Sequence, residues 1–468
     1  MADRGTRPVR GDRRMSDVEA LMWNLEKDPH LSSAFANVTV LDSTPDLGRF
    51  RARMERAMQI VPRLRQRVVA GLGRLAPPEW HNADVDLDYH VRRVALAGDG
   101  SMRDLLDLAA AFSSDPFDRT RPLWEFLVVE GLEGDRAAML QKIHHTVTDG
   151  EGGVRMSGEF IDFSRDQPDA NPIIDDDPAL DGPPTNIVAA ALDTTVHNVR
   201  RGLGVGRRVI DEAATLARNP GRVPGVAAEI AATLQSGVRQ LAVTDSAHSP
   251  LWTERSLRHR IEVLRISLDD AKRASKALGG SVNDLFVAGA AGGAGAYHRA
   301  QGSDVAELRI SMPVSTRGDA SMGGNAFTPA RVLVSCDPDP VARFGAVRDR
   351  LSYTKQEPGL RLVQGMAGLL NVLPTSLLVR AARQQVETVD FTTSNVRGAP
   401  FDLFIAGAKI EANYPIGPLA GTAFNITTLS SSGWLDMGVN IDLAAIDDPE
   451  LLRQCIEDAF AELLVAAG

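Results

Sequence analysis

The chain has 468 residues, 44% apolar and 24% charged, with 51 Lys+Arg against 61 Asp+Glu and a net charge of -10. At roughly 100–200 residues per domain, this fits two or three domains with cores that need no covalent staples, and the acidic balance argues against a nucleic-acid partner. Two cysteines, Cys336 and Cys455, give neither a disulfide framework nor a cysteine-rich metal site, and they suit a reducing, cytoplasmic setting.

Residues 1–14 (MADRGTRPVRGDRR) are basic, but no apolar run follows them. They read as a disordered leader rather than a secretion signal. Nowhere do about 18 uncharged apolar residues run together, so no bilayer span is expected. Phe35 to Leu41 alternates as a strand. A helix follows, capped by Ser43 or Asp46, with Phe50, Met54, Met58 and Ile60 at helical spacing. Val85 to Val94 has period two and predicts a strand, and Met102 to Phe112 predicts a short helix. Trp124 to Val129 and Ala137 to Ile143 predict two strands joined by the turn GLEGD.

Asp166 to Pro184 is rich in Asp and Pro and reads as a linker, followed by interrupted helical patterns from Asn186 to Val243. Alternation resumes from Ile261, and Leu264 to Leu268 predicts a strand. Ser281 to Tyr297 predicts a helix with a Ser281–Asp284 capping pair. Its run AGAAGGAGA is so small that close packing of other backbone is expected; it lacks the spacing of a phosphate loop. Further strands are expected at Leu308 to Met312, Ala330 to Ser335, Leu403 to Ile405, Phe424 to Leu429 and Trp434 to Ile441, with a closing helix at Asp448 to Val465. The whole reads as an α/β (α+β) protein: an N-terminal domain over 15–165, a linker and helical connector over 166–260, and a C-terminal domain over 261–468.

The sharpest motif is His144-His145-Thr146-Val147-Thr148-Asp149-Gly150 at the end of an apolar strand. Histidine suits proton transfer near neutrality, and an alcohol needs a base to become a good nucleophile. Gly150 leaves room for close backbone or ligand approach. The alternatives are a metal site and ordinary strand-end residues. Adjacent strand residues face opposite ways, and no H-E-x-x-H or further His/Cys cluster supports zinc, so no metal is expected. No G-x-S-x-G elbow is present, and both cysteines lie far from the motif, which favours direct transfer over a covalent acyl-enzyme.

HHTVTDG, with Pro122-Leu123-Trp124 before it, resembles the bacterial wax ester synthase/diacylglycerol acyltransferase family. Val85 to Val94, Ser281-Val282-Asn283-Asp284, Ser311 to Arg317, Ser394-Asn395-Val396-Arg397-Gly398, Tyr414-Pro415 and GTAFNITTLSSSGWLDMGVNID extend the resemblance over about residues 15–465. Three positions depart from the family pattern: Glu19 stands where Asp is usual, and Arg397 and Ala399 stand where prolines are common.

The resemblance implies two chloramphenicol-acetyltransferase-like domains enclosing a tunnel. It implies transfer of a fatty acyl group from acyl-CoA, as donor substrate with no bound cofactor, to diacylglycerol or a fatty alcohol. His145 would be the base and His144 its support. Asp149 would complete the catalytic motif in a structural role, paired with Arg317 or, second, Arg309, with a direct triad partnership with His145 as the alternative. Asn283 would shape the site or stabilise the oxyanion, and Asp284 would join it or simply cap its helix. An amine acceptor, as in condensation domains, or a weakly catalytic lipid-binding protein are the alternatives. Arg200, Arg201, Arg207, Arg208, Arg218 and Arg222 form either a solvated helix face, a contact for CoA phosphates or a dock onto an anionic lipid surface. A cytoplasmic protein, peripheral at the inner membrane face or at lipid inclusions, is therefore expected.

Overall fold

The computed structural model describes residues 13–70, 77–168, 247–315, 327–355 and 374–468, with backbone alone at 314–315, 327–328 and 355. Most of the expected leader and connector, the Arg200–Arg222 cluster and Arg317 lie outside the described residues. The leader expectation needs one correction: Arg14 bridges Glu79 in an isolated β-pair, and its guanidinium donates to the Glu79 carboxylate at 3.2 Å.

Ser16 caps helix α1 (Asp17–Leu25). Its N–H donates to Glu19 at 2.8 Å, and the Glu19 N–H donates back to the Ser16 hydroxyl at 3.2 Å. The unusual Glu19 thus completes a capping box. Strand β1 (Ala34–Leu41) follows, then helix α2 (Leu47–Ile60), capped by Asp46 and not by Ser43. Strands β2 (Gln66–Val69) and β3 (Glu79–Asn82) form a small separate ribbon.

The single strand expected over Val85 to Val94 is corrected to a helical turn, α3 (Leu87–His90), and a shorter strand, β4 (Val91–Ala95). The cause is Asp86, whose carboxylate accepts from the N–H groups of Asp88 and Tyr89 and closes the turn. Helix α4 (Met102–Ser114) precedes the hairpin β5 (Trp124–Leu132) and β6 (Arg136–His144), and helix α5 (Gly150–Ser157) ends this half.

The second half opens with β7 (His259–Ser267), α6 (Leu268–Ala277) and α7 (Val282–Ala300). It continues with β8 (Glu307–Ser315), β9 (Phe327–Ser335), α8 (Pro340–Lys355) and α9 (Thr375–Val386). Strands β10 (Phe391–Arg397), β11 (Phe404–Ile405), β12 (Ala408–Ile416), β13 (Phe424–Ser431) and β14 (Trp434–Asp442) lead to the closing helix α10 (Pro449–Ala466).

These strands make two six-stranded sheets. The first has the order β11-β12-β1-β6-β5-β4 and the second β7-β14-β13-β10-β8-β9. The 261–468 stretch therefore supplies β11 and β12 to the first sheet, where β12 pairs antiparallel with β1 from Ala36–Ile416 to Leu41–Ile410. The sheets meet along β12. A side chain at Gly438 of β14 would lie 2.3 Å from the Pro415 carbonyl, so only glycine permits this approach. The Asn413 N–H donates across the seam to Asp436 at 2.9 Å.

Each half has its own apolar core. In the first, Phe50, Phe126 and Phe160 meet edge to face, each fully buried ring contributing about 1.5–3 kcal/mol. In the second, the small-residue helix α7 is buried as expected. A side chain at Gly293 would sit 2.4 Å from the Ile456 Cα of α10, and one at Gly289 would sit 2.3 Å from the Phe460 ring. The glycines let two helices approach more closely than larger side chains would allow, and this holds the N-terminus of α7 in place.

Candidate active site

Strand β6 ends at His144, opposite Ala34 at the start of β1. Two backbone bonds then fix the histidine pair: the His144 N–H donates to the Leu123 carbonyl and the His145 N–H to the Ser33 carbonyl, both at 3.0 Å. The Pro122-Leu123-Trp124 segment thus acts directly on the motif. Trp124 is itself fixed, its indole N–H donating to the Leu64 carbonyl at 2.7 Å.

The two rings occupy different surroundings, as alternating strand geometry requires. His144 is fully buried between the edges of Trp23 and Phe117. The Thr146 N–H donates to its Nδ1 at 3.1 Å, which leaves the proton on Nε2, and Nε2–H donates to Glu26 Oε2 at 2.6 Å. Arg119 donates to the same oxygen at 3.0 Å. Burial alone would raise the Glu26 carboxyl, but the hydrogen bonds from His144 and Ser32 and the charge of Arg119 hold it below its usual value.

His145 is only half-buried, with its ring 4.7 Å from that of Phe35. Loss of hydration, reinforced by His144, pushes its pKa down to about 4, against the opposing pull of Asp149 and of a hydrogen bond to the Thr148 backbone. The imidazole is neutral at pH 7, the form that accepts a proton.

Asp149 caps α5, its carboxylate accepting from the Gly152 N–H at 2.8 Å. Gly150 faces the other half of the molecule, and a side chain there would meet Val396 of β10 at 3.0 Å. The neighbouring Asn395 donates to Asn283 at the start of α7, at 3.2 Å. The fold thus brings together three motifs far apart in the chain: HHTVTDG, SNV and SVND. Asp284 serves as a cap, accepting from the N–H and hydroxyl of Ser281 at 2.8 and 2.7 Å. The Arg309 guanidinium donates to the Thr388 carbonyl at 3.0 Å and lies 3.1 Å from His248, while Arg317 lies outside the described residues. Cys336 is buried in the second core, and its thiol is pushed up to about 12 by that burial.

Sequence reasoning missed Glu26, Arg119, Thr146 and Phe35. No local pattern marks Glu26, which lies in a charged stretch (LEKD) just past the end of α1.

The family profile of the wax ester synthase/diacylglycerol acyltransferase catalytic domain matches residues 15–286, and that of the WS/DGAT C-terminal domain matches 323–464. A Mycobacterium tuberculosis (H37Rv) protein provisionally named a diacylglycerol O-acyltransferase is 37% identical over 483 residues, covering 100% of this chain and 95% of that protein. A second so named from the same strain is 28% identical, covering 97% of this chain and 100% of its own length.

Among solved structures, the wax ester synthase/diacylglycerol acyltransferase from Marinobacter aquaeolei VT8 superposes with a TM-score of 0.64 at 22% identity, covering 97% of this chain and 100% of that one. The starter condensation domain of rhizomide synthetase, in complex with C8-CoA and Leu-SNAC, gives a TM-score of 0.60 at 12% identity, covering 97% and 94%. These two share the fold, so the expected two-domain chloramphenicol-acetyltransferase-like architecture holds. With both family profiles matched and a relative 37% identical along its whole length, the chain belongs to the wax ester synthase/diacylglycerol acyltransferase family and is an acyltransferase.

Proposed function

We propose that the protein transfers a long-chain fatty acyl group from acyl-CoA directly to the hydroxyl of diacylglycerol or of a fatty alcohol, with His145 as general base. The hydroxyl oxygen bonds to the thioester carbon while the imidazole takes its proton. The C–S bond then breaks, and the imidazolium returns the proton to the departing thiolate, releasing ester and free CoA. The observation that carries this reading is the setting of His145: only partly exposed, neutral, and fixed where motifs from both halves converge. The burial and raised pKa of Cys336 speak against a thiolate nucleophile there. The diacylglycerol acceptor is supported by the names of the full-length relatives.

Neutral-lipid acceptors partition into membranes and inclusions, so a peripheral position there belongs to the same proposal. No helix among the described residues is long and apolar enough to cross a membrane.

Labelled palmitoyl-CoA, offered with diacylglycerol or with hexadecanol, tests the reaction. Labelled triacylglycerol or wax ester is the expected product. Thiol release with neither acceptor acylated would point to an amine acceptor or to a lipid-binding role.

The pH profile tests the base. An imidazole lowered to about 4 stays unprotonated well below the ordinary histidine value of about 6.5. The acid limb of kcat/KM is therefore expected near pH 4, with little change between about pH 8 and pH 5.5. A limb at about 6.5 or above would contradict the described environment of His145.

A further inference from the structure

We infer that Glu26 is a positioning residue for acyl transfer, acting through an Arg119–Glu26–His144 relay that sets the strand end bearing His145. This rests on the reading of His145 as base. Both carboxylate oxygens of Glu26 are engaged. Oε2 accepts from His144 Nε2 at 2.6 Å and from Arg119 at 3.0 Å. Oε1 accepts from the Ser32 hydroxyl at 2.8 Å and the Ser33 N–H at 3.4 Å. One side chain therefore ties the ring before His145 to the loop whose Ser33 carbonyl holds the His145 N–H.

Aromatic rings flank the relay. The Arg119 guanidinium stacks 4.0 Å from the Trp23 ring, whose edge meets His144, and Phe117 closes the other side. Thr146 pins His144 Nδ1 as an acceptor, so the Nε2 proton must point at a carboxylate or lose its partner. A glutamine cannot replace the glutamate fully, because its NH2 would face a donor at whichever end it lay. The role of the relay is geometric: it fixes His144, the strand end and the Ser33 loop together. Misplacing a catalytic group by about 1 Å is enough to cost about 10²-fold in rate.

The test uses the full chain with Glu26→Ala, Glu26→Gln, His144→Ala and the Glu26→Ala/His144→Ala double variant. Glu26→Ala and His144→Ala are each expected to lower kcat about 10–100-fold, with KM for acyl-CoA within about twofold. Glu26→Gln should fall between Glu26→Ala and the wild type. Because both residues act as one unit, the double variant should be no slower than the slower single variant. Selective 15N labelling of histidine should show His144 as the neutral Nε2–H tautomer in the wild type and as a tautomer mixture in Glu26→Ala.

Unchanged kcat in Glu26→Ala, or losses that multiply in the double variant, would overturn the relay. If Glu26→Ala fails to fold, Arg119→Gln replaces it, and unchanged kcat with an unchanged His144 tautomer would then overturn the proposal. The two readings separate cleanly. Full turnover in His145→Ala removes the base assignment, whereas a dead His145→Ala beside a fully active Glu26→Ala removes only the relay.

Discussion

Replacing His145 with alanine is expected to lower kcat by about 10²–10⁴-fold, equivalent to about 2.7–5.5 kcal/mol of transition-state stabilisation, without unfolding the protein. The size follows from the acceptor chemistry. A hydroxyl that is not being deprotonated attacks a thioester poorly, and no other described side chain is proposed for that task. The fold should survive because the backbone contact that anchors the residue, from the His145 N–H to the Ser33 carbonyl, does not involve the ring. The His145 ring has a hydrogen bond to lose, to the Thr148 backbone, while the side-chain hydrogen bonds that brace the motif are those of His144, Thr146 and Asp149. Single-turnover assays on a variant with wild-type circular dichroism would settle it. A kcat within about threefold of wild type would mean that the proton goes elsewhere.

The largest effect on stability is expected at Asp162. This carboxylate has no solvent exposure and bridges two arginines of α2, Arg53 at 2.7 Å and Arg49 at 3.1 Å. Arg53 is itself buried. The Asp162 backbone also pairs with Phe404, with N–H···O distances of 2.8 and 2.9 Å, so the residue joins α2 to β11. Asp162→Ala leaves guanidinium charge in a dry site without its counter-ion, a change that costs about 3–5 kcal/mol. Urea unfolding should show the midpoint falling at unchanged slope. A loss below about 1 kcal/mol would mean that water reaches the arginines once the carboxylate is gone.

Elements with a strong local pattern were legible from the residues alone. Strands β1, β5, β6, β13 and β14 and helices α7 and α10 fall within a few residues of the expected bounds, because alternation or helical spacing there coincides with burial. The glycine run of α7 was legible for the same reason: so little side chain makes sense only beneath another backbone. Strands β10 and β12 are different. Phe391–Arg397 is rich in Thr, Ser and Asn, which hides it, whereas Ala408–Ile416 does alternate, with Ala, Ile, Ala, Tyr and Ile buried between more exposed Lys, Glu, Asn and Pro. What no local window contains is the partner of β12, β1 at the far end of the chain, which places it in the first sheet.

The site shows the same division. His145 announces itself through its motif, and Asp284 through its capping spacing. Glu26 becomes significant only when folding sets it against His144.

The placement of β12 also bears on synthesis. While the chain emerges from the ribosome, β1, β5 and β6 can assemble early, but one edge of that sheet has no neighbour until residues 408–416 have been made. For most of translation β1 therefore presents an unpaired strand edge, the kind of surface that recruits other chains. Pairings so distant along the chain are also slow to form. The nascent protein depends on its last segments to close its first sheet, so that open edge needs shielding until then.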